Sequence, residues 1–121
     1  MPPDGGRKGL GDEGERIAVA WLRRNGYRIL KRNFRCRVGE IDIIAVLRKV
    51  LCFVEVKTRR HGEYLSAVES ITVLKERKIR RTAEAFLVGF RGAYEECRFE
   101  AVAVVYHDDG HYEIEHLKDI F

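Results

Sequence analysis

Hydrophobic and polar positions follow two periods along this chain, and the switches between them mark its elements. Ile17, Ala18, Ala20, Trp21 and Leu22 recur at helical spacing and predict a helix from near Asp12 to Arg24 or Asn25, where Asn25-Gly26 supplies a stop. Glu15, Ala18 and Leu22 share one face at i, i+3 and i+7. Glu15 thus stands at the end of the apolar stripe, although an acid near a helix start also serves the helix dipole. Period two then takes over: a strand over Tyr27 to Phe34, with Arg28, Lys31 and Arg32 interspersed, leads through Arg37-Val38-Gly39 into a longer alternating stretch. A polar loop is expected over Thr58 to Leu65. Helical spacing returns over Thr72 to Val88, where Ile79, Ala83, Phe86, Leu87 and Phe90 mark a buried face that Lys75 extends by one turn. Cys97 to Tyr106 reads as a strand, Asp108-Asp109-Gly110 as a turn, and His111 to Leu117 as a short edge strand. One helix, three strands, a helix and two strands give an α/β domain with a mixed sheet.

The stretch Gly39 to Thr58, GEIDIIAVLRKVLCFVEVKT, organises the rest. It reads as two strands joined at Arg48-Lys49. Side chains two apart in a strand share a face, so Glu40 projects with Asp42, and Glu55 with Lys57. If the pair folds about Arg48 and Lys49, opposed residues have numbers adding to 97, which sets Asp42 opposite Glu55 and Glu40 opposite Lys57. Three carboxylates and a lysine on one sheet face are costly to desolvate unless paired or bound to a cation. An oxygen-rich cluster suits Mg²⁺ or Mn²⁺, and an adjacent lysine can hold water or phosphate. On alternation alone, a solvated face with cross-strand ion pairs is the stronger reading.

Length and composition narrow the setting. The 121 residues fit one domain over residues 12–121, preceded by a Gly- and Pro-rich, flexible tail over residues 1–11. A net charge of +4 permits a polyanionic partner without requiring one. Lys75, Arg77, Lys78, Arg80 and Arg81 make the first half of the second helix basic, by default a solvated face and otherwise a set of phosphate contacts. Cys36, Cys52 and Cys97 form no CxxC pair, which fits a reducing cytoplasmic setting. No apolar run is long enough to span a bilayer, so no membrane partner is expected. His107 and His111 flank a turn and, lacking a third ligand, read as surface residues.

Gly14-Glu15, Asn25-Gly26-Tyr27, Arg32-Asn33-Phe34, Gly39-Glu40-Ile41-Asp42 and Phe53-Val54-Glu55-Val56-Lys57-Thr58-Arg59, in that order, resemble the YraN family of small bacterial proteins. That family is similar to the restriction-endonuclease-like PD-(D/E)xK nucleases and, within them, to archaeal Holliday junction resolvases. The resemblance spans about Gly11 to Val105 and implies a mixed sheet flanked by helices with the hairpin at its centre. It implies that Asp42 and Glu55 hold Mg²⁺ or Mn²⁺ with help from the Val56 carbonyl. Lys57 would orient the attacking water or stabilise the phosphate, and Glu15 would complete the acidic site or bind a second metal. Lys75, Lys78, Arg59 and Arg60 are the expected nucleic-acid contacts. The implied activity is metal-dependent hydrolysis of DNA, including branched or flapped structures, by a chain that could pair as a homodimer. A nucleic-acid-binding module without catalysis, or a partner-dependent scaffold, is the alternative. The chain departs from the family at Glu100, usually Asp, and at its Leu47-Arg48-Lys49 turn, often Asp- and Gly-rich.

Overall fold

The computed structural model describes residues 7–62 and 73–121. The elements run α1 (Arg7–Arg24), β1 (Arg28–Cys36), β2 (Gly39–Leu47), β3 (Val50–Arg60), α2 (Val73–Gly89), β4 (Glu96–Tyr106) and β5 (Tyr112–Leu117). The strands form one sheet in the order β1-β2-β3-β4-β5. β3 and β4 are parallel and every other pair is antiparallel. The α/β mixed sheet expected from the sequence is therefore present. A parallel pair cannot be closed by a tight turn, and the segment containing α2 makes that connection.

Alternation along β3 sends its side chains to two cores. Cys52 and Val54 join Ala18, Val19 and Leu22 of α1, together with Ile43, Ala45 and Val102. Leu51 and Phe53 join Ile41, Ile44 and Ala83, with Phe86 and Leu87 of α2 packed alongside. The helices thus cover opposite faces of a central strand that is apolar on both sides. Among the described residues, no helix is long and apolar enough to cross a membrane.

Two boundaries differ from expectation by more than two residues. Helix α1 begins at Arg7 rather than near Asp12, because its early glycines weaken a helix by about 1 kcal/mol each without forbidding it; residues 1–6 lie outside the described residues. β3 runs on to Arg60, held throughout by its parallel ladder with β4, and so takes the first part of the expected loop. The rest of that loop, from residue 63, and Thr72 lie outside the described residues.

The β2–β3 register follows the expected sum, from Ile43↔Val54 to Leu47↔Val50. The turn lacks glycine, so Arg48 takes the left-handed conformation itself, with φ of +56°. An L-residue with a bulky side chain is disfavoured there by about 1 kcal/mol or more. Arg48→Gly is expected to raise stability by about 0.5 kcal/mol after the extra flexibility of the unfolded chain is offset. Urea unfolding measures it, and a lower midpoint would show that Arg48 contributes contacts outweighing the strain.

Candidate functional site

The site begins where β2 parts from β3. Their pairing ends at Ile43↔Val54, while β1–β2 pairing continues to Cys36↔Gly39 and β3–β4 pairing to Arg60↔Tyr106. Between the diverging strands the Val56 backbone N–H donates to Asp42 Oδ2 at 2.8 Å. The Asp42 carboxylate therefore takes the place of a ladder carbonyl, satisfying a backbone donor that the separation would orphan. The sequence pattern cannot show this divergence, because it depends on β4 and α2.

Asp42, Glu55 and Lys57 line one cleft of about 310 Å³, together with Gly39, Glu40, Val56 and, from α2, Lys75, Lys78, Ile79 and Thr82. The floor comes close to α2: a Cβ on Gly39 would lie 2.9 Å from Thr82 Oγ1, so glycine admits the helix there. Glu40 is drawn to the rim by Arg35, with Nε to Oε2 at 2.8 Å.

Glu55 is buried, with 7% of its surface exposed, and its Oε1 has no hydrogen-bond partner among the described residues. Burial first, and the neighbouring Asp42 charge second, raise the Glu55 carboxyl to about 8, while Lys57 and Lys75 counteract the rise. Asp42 is also raised, chiefly by burial, against the opposing hydrogen bond from Val56. The two carboxyls are close enough for the charge of Asp42 to oppose ionisation of Glu55. Lys57 is lowered to about 8 by burial and by hydrogen bonding and repulsion from Lys75. Asp42, Glu55 and Lys57 thus share a partly dry cleft with Lys75, and burial works against the charged form of the first three.

Glu15 approaches from the other helix. It does not line the cleft, but Asp42 is close enough to raise its carboxyl, second only to burial; Arg32 and a hydrogen bond with Asn33 act in the opposite sense. Gly14 makes this approach possible, since a side chain there would collide with Thr58 Oγ1 of β3. Asn33 was not among the expected site residues. It is left-handed, with φ of +52°, and occupies the position in β1 that opposes Asp42 in the β1–β2 register. Asn tolerates this conformation better than most residues; that tolerance and its place in the Arg32-Asn33-Phe34 segment are its signals in the sequence.

The expected nucleic-acid residues divide. Lys75 and Lys78 line the cleft. Arg59 and Arg60 lie at the far end of β3 opposite Val105 and Tyr106, with Arg59 Nη1 donating to the Thr58 carbonyl at 3.1 Å. His107 and His111 stack at 4.2 Å, and His61 joins them at 4.4 Å from His107, a third histidine that sequence spacing did not reveal. Among the described residues, no group of three or more His, Cys, Asp or Glu side chains has an arrangement suited to a metal ion.

A carboxyl raised by folding makes the native state hold its proton more tightly. The contribution is full below the ordinary value of 4.5 and is lost as pH rises through about 8. Without added cations, stability should therefore fall across that window. Glu55→Gln, which keeps a donor toward Asp42, should flatten this dependence and stabilise the protein near pH 8. Thermal melts from pH 5 to 8 test it; an unchanged slope in the variant would assign the dependence to other groups.

The chain matches the model of "Uncharacterised protein family UPF0102" over residues 14–104. It is 42% identical to a UPF0102 protein of Chlorobium phaeobacteroides (strain BS1), with 93% of each chain covered. It is 44% identical to one of Geotalea uraniireducens (strain Rf4), covering 94% of this chain and 90% of the relative. A UPF0102 protein of Chlorobaculum parvum is 45% identical, with 93% and 91% covered. With the family model matching most of the chain and these relatives aligned nearly end to end, the protein belongs to the UPF0102 family.

Proposed function

We propose that the cleft is the active site of a metal-dependent nuclease that hydrolyses phosphodiester bonds in DNA. The observation that carries this reading is the buried Glu55 Oε1, which has no hydrogen-bond partner among the described residues, beside Asp42 and facing two lysines. A buried carboxylate oxygen is costly to leave unpaired, and a hard divalent cation would satisfy it. Two carboxylates are what Mg²⁺ commonly takes from a protein when water and substrate phosphate supply its other ligands. Asp42 and Glu55 would hold Mg²⁺ or Mn²⁺, with the Val56 carbonyl available to help. Glu15 would add negative charge from the α1 side. The resemblance of the ordered segments to the PD-(D/E)xK nucleases supports the same reading.

When bound, the cation supplies Lewis acidity toward a phosphate oxygen and toward water. The remaining work falls to the chain. Lys57, shifted toward neutrality and facing the carboxylates, is placed to accept a hydrogen bond from the attacking water or, when protonated, to offset phosphate charge. Attack forms a P–O bond to water, whose proton passes to the neutral Lys57 amine, and breaks the bond to the 3′ oxygen, which leaves with the electron pair and takes up a proton from solvent. Lys75 and Lys78 stand where they can bind the phosphate, and Arg59 and Arg60 extend the positive surface beyond the cleft. Branched or flapped DNA is the substrate class that the resemblance implies; symmetric cutting of a junction would take two copies of the chain.

Calorimetric titration with Mg²⁺ and Mn²⁺ tests the cation step on its own. Saturable binding that weakens in Glu55→Gln is expected. Binding of equal strength in both proteins would place the cation elsewhere.

A further inference from the structure

We propose that the free edge of the sheet at β1 binds the phosphate backbone of the nucleic acid and leads it to the cleft. Residues 28–37 carry Arg28, Lys31, Arg32, Arg35 and Arg37 with no acid, five positive charges in a chain whose net charge is only +4. All five are exposed. Only Arg35 makes an ion pair among the described residues, with Glu40, and that pair is itself solvent-exposed. Arg28, Lys31 and Arg37 are available to an outside anion.

Charge is segregated across the sheet. Among the described residues, β1 ends it on one side and pairs only with β2; β5 ends it on the other side and carries Glu113 and Glu115 but no lysine or arginine. Charged residues on an edge strand often serve only to block edge-to-edge pairing, but that role gives no reason for the two edges to bear opposite signs. The positive edge is also the one beside the site: Arg32 opposes Ile43, Phe34 opposes Ile41 and Arg35 opposes Glu40, on either side of Asp42.

The shape of the edge selects the occupant. A strand from another protein needs a regular row of backbone donors and acceptors. β1 breaks that row twice, by the register shift between Ile29 and Lys31 and by left-handed Asn33. Phosphates require only spaced cations. Nine steps from Arg28 to Arg37 at about 3.3 Å each give roughly 30 Å, close to one turn of duplex DNA at about 34 Å. The proposal rests on the nuclease reading of the cleft for the place where the bound strand ends, but the contact with phosphates requires no chemistry.

Binding of a labelled DNA duplex, measured in EDTA at several salt concentrations, tests it. The variants are Arg28→Gln/Lys31→Gln/Arg37→Gln and, as control, the exposed set Arg77→Gln/Arg81→Gln/Arg91→Gln. Each lost phosphate contact lowers the slope of log K against log salt by about 0.9. The β1 triple should therefore lose about 2.7 from the slope and bind at least about tenfold more weakly at 0.15 M salt, with its melting temperature retained. The control should lose less, and Arg28→Lys/Arg37→Lys should keep the wild-type slope. Equal losses in both triples, no loss in the β1 triple, absence of salt-sensitive binding by wild type, or preference for anionic vesicles over DNA would each overturn the proposal. EDTA keeps binding separate from cleavage: DNA binding through β1 by a protein that never cleaves would refute the nuclease reading and leave this one standing.

Discussion

Asp42→Ala is expected to lower metal-dependent DNA cleavage by at least about a thousandfold while leaving the fold in place. The side chain has two tasks. It accepts the Val56 N–H where the ladder between β2 and β3 ends, and it supplies the carboxylate beside Glu55. Losing the first costs little, because water entering the cleft can satisfy the freed N–H. Losing the second removes half of the carboxylate pair on which the proposed cation binding depends. Asp42→Asn separates the tasks: its amide oxygen can still accept from Val56, but it brings no negative charge. Both variants should be inactive, with Asn the nearer to wild-type stability. Cleavage retained in either would place the chemistry elsewhere.

Glu100→Ala is expected to destabilise the protein by about 3–5 kcal/mol without acting through the cleft. Glu100 is fully buried on β4. Tyr27 donates its hydroxyl to Oε1 at 3.0 Å, His116 Nε2 lies 2.8 Å from the same oxygen, and Arg98 Nη1 approaches Oε2 at 3.5 Å. Trp21 Nε1 donates to His116 Nδ1 at 3.1 Å, which leaves Nε2 as the nitrogen that donates to Glu100. One carboxylate thus ties α1, the residue before β1, β4 and β5 together. Its charge and the surrounding burial are felt nearby: burial and Glu100 raise the Tyr27 hydroxyl and push the Cys52 thiol to about 12. Truncation to alanine strands two buried donors, Tyr27 and His116, and removes a carboxylate beside the half-buried Arg98. Glu100→Gln keeps the size and one acceptor and should cost about 1–2 kcal/mol. Chemical denaturation of both variants checks the order, and an alanine variant as stable as wild type would mean that water replaces the carboxylate.

These two residues mark how far the sequence is legible. The hairpin register could be read because strict alternation on both sides of Arg48-Lys49 leaves one symmetric pairing, and the structure follows it from Ile43↔Val54 to Leu47↔Val50. The shared face of Glu55 and Lys57 follows from the same parity. Parity also marks Glu100, which falls on the same side of β4 as the buried Val102 and Val104 and so reads as a buried carboxylate in need of partners. Its partners are not marked, since Tyr27 lies 73 residues away in the chain. The parting of β2 from β3 at Asp42, the left-handed Asn33 and the meeting of Lys57 with Lys75 all arise from tertiary packing, which local periodicity does not encode.

The measurement closest to the central claim is a cleavage time course with wild-type protein on labelled duplex, single-stranded, flap and four-way-junction DNA, in Mg²⁺, in Mn²⁺ and in EDTA. The account predicts products on at least one of these DNAs with either cation, a 3′ hydroxyl at the cut, and no product in EDTA. Cleavage that persists in EDTA, or a complete set without product from protein that binds both the cation and DNA, would contradict it.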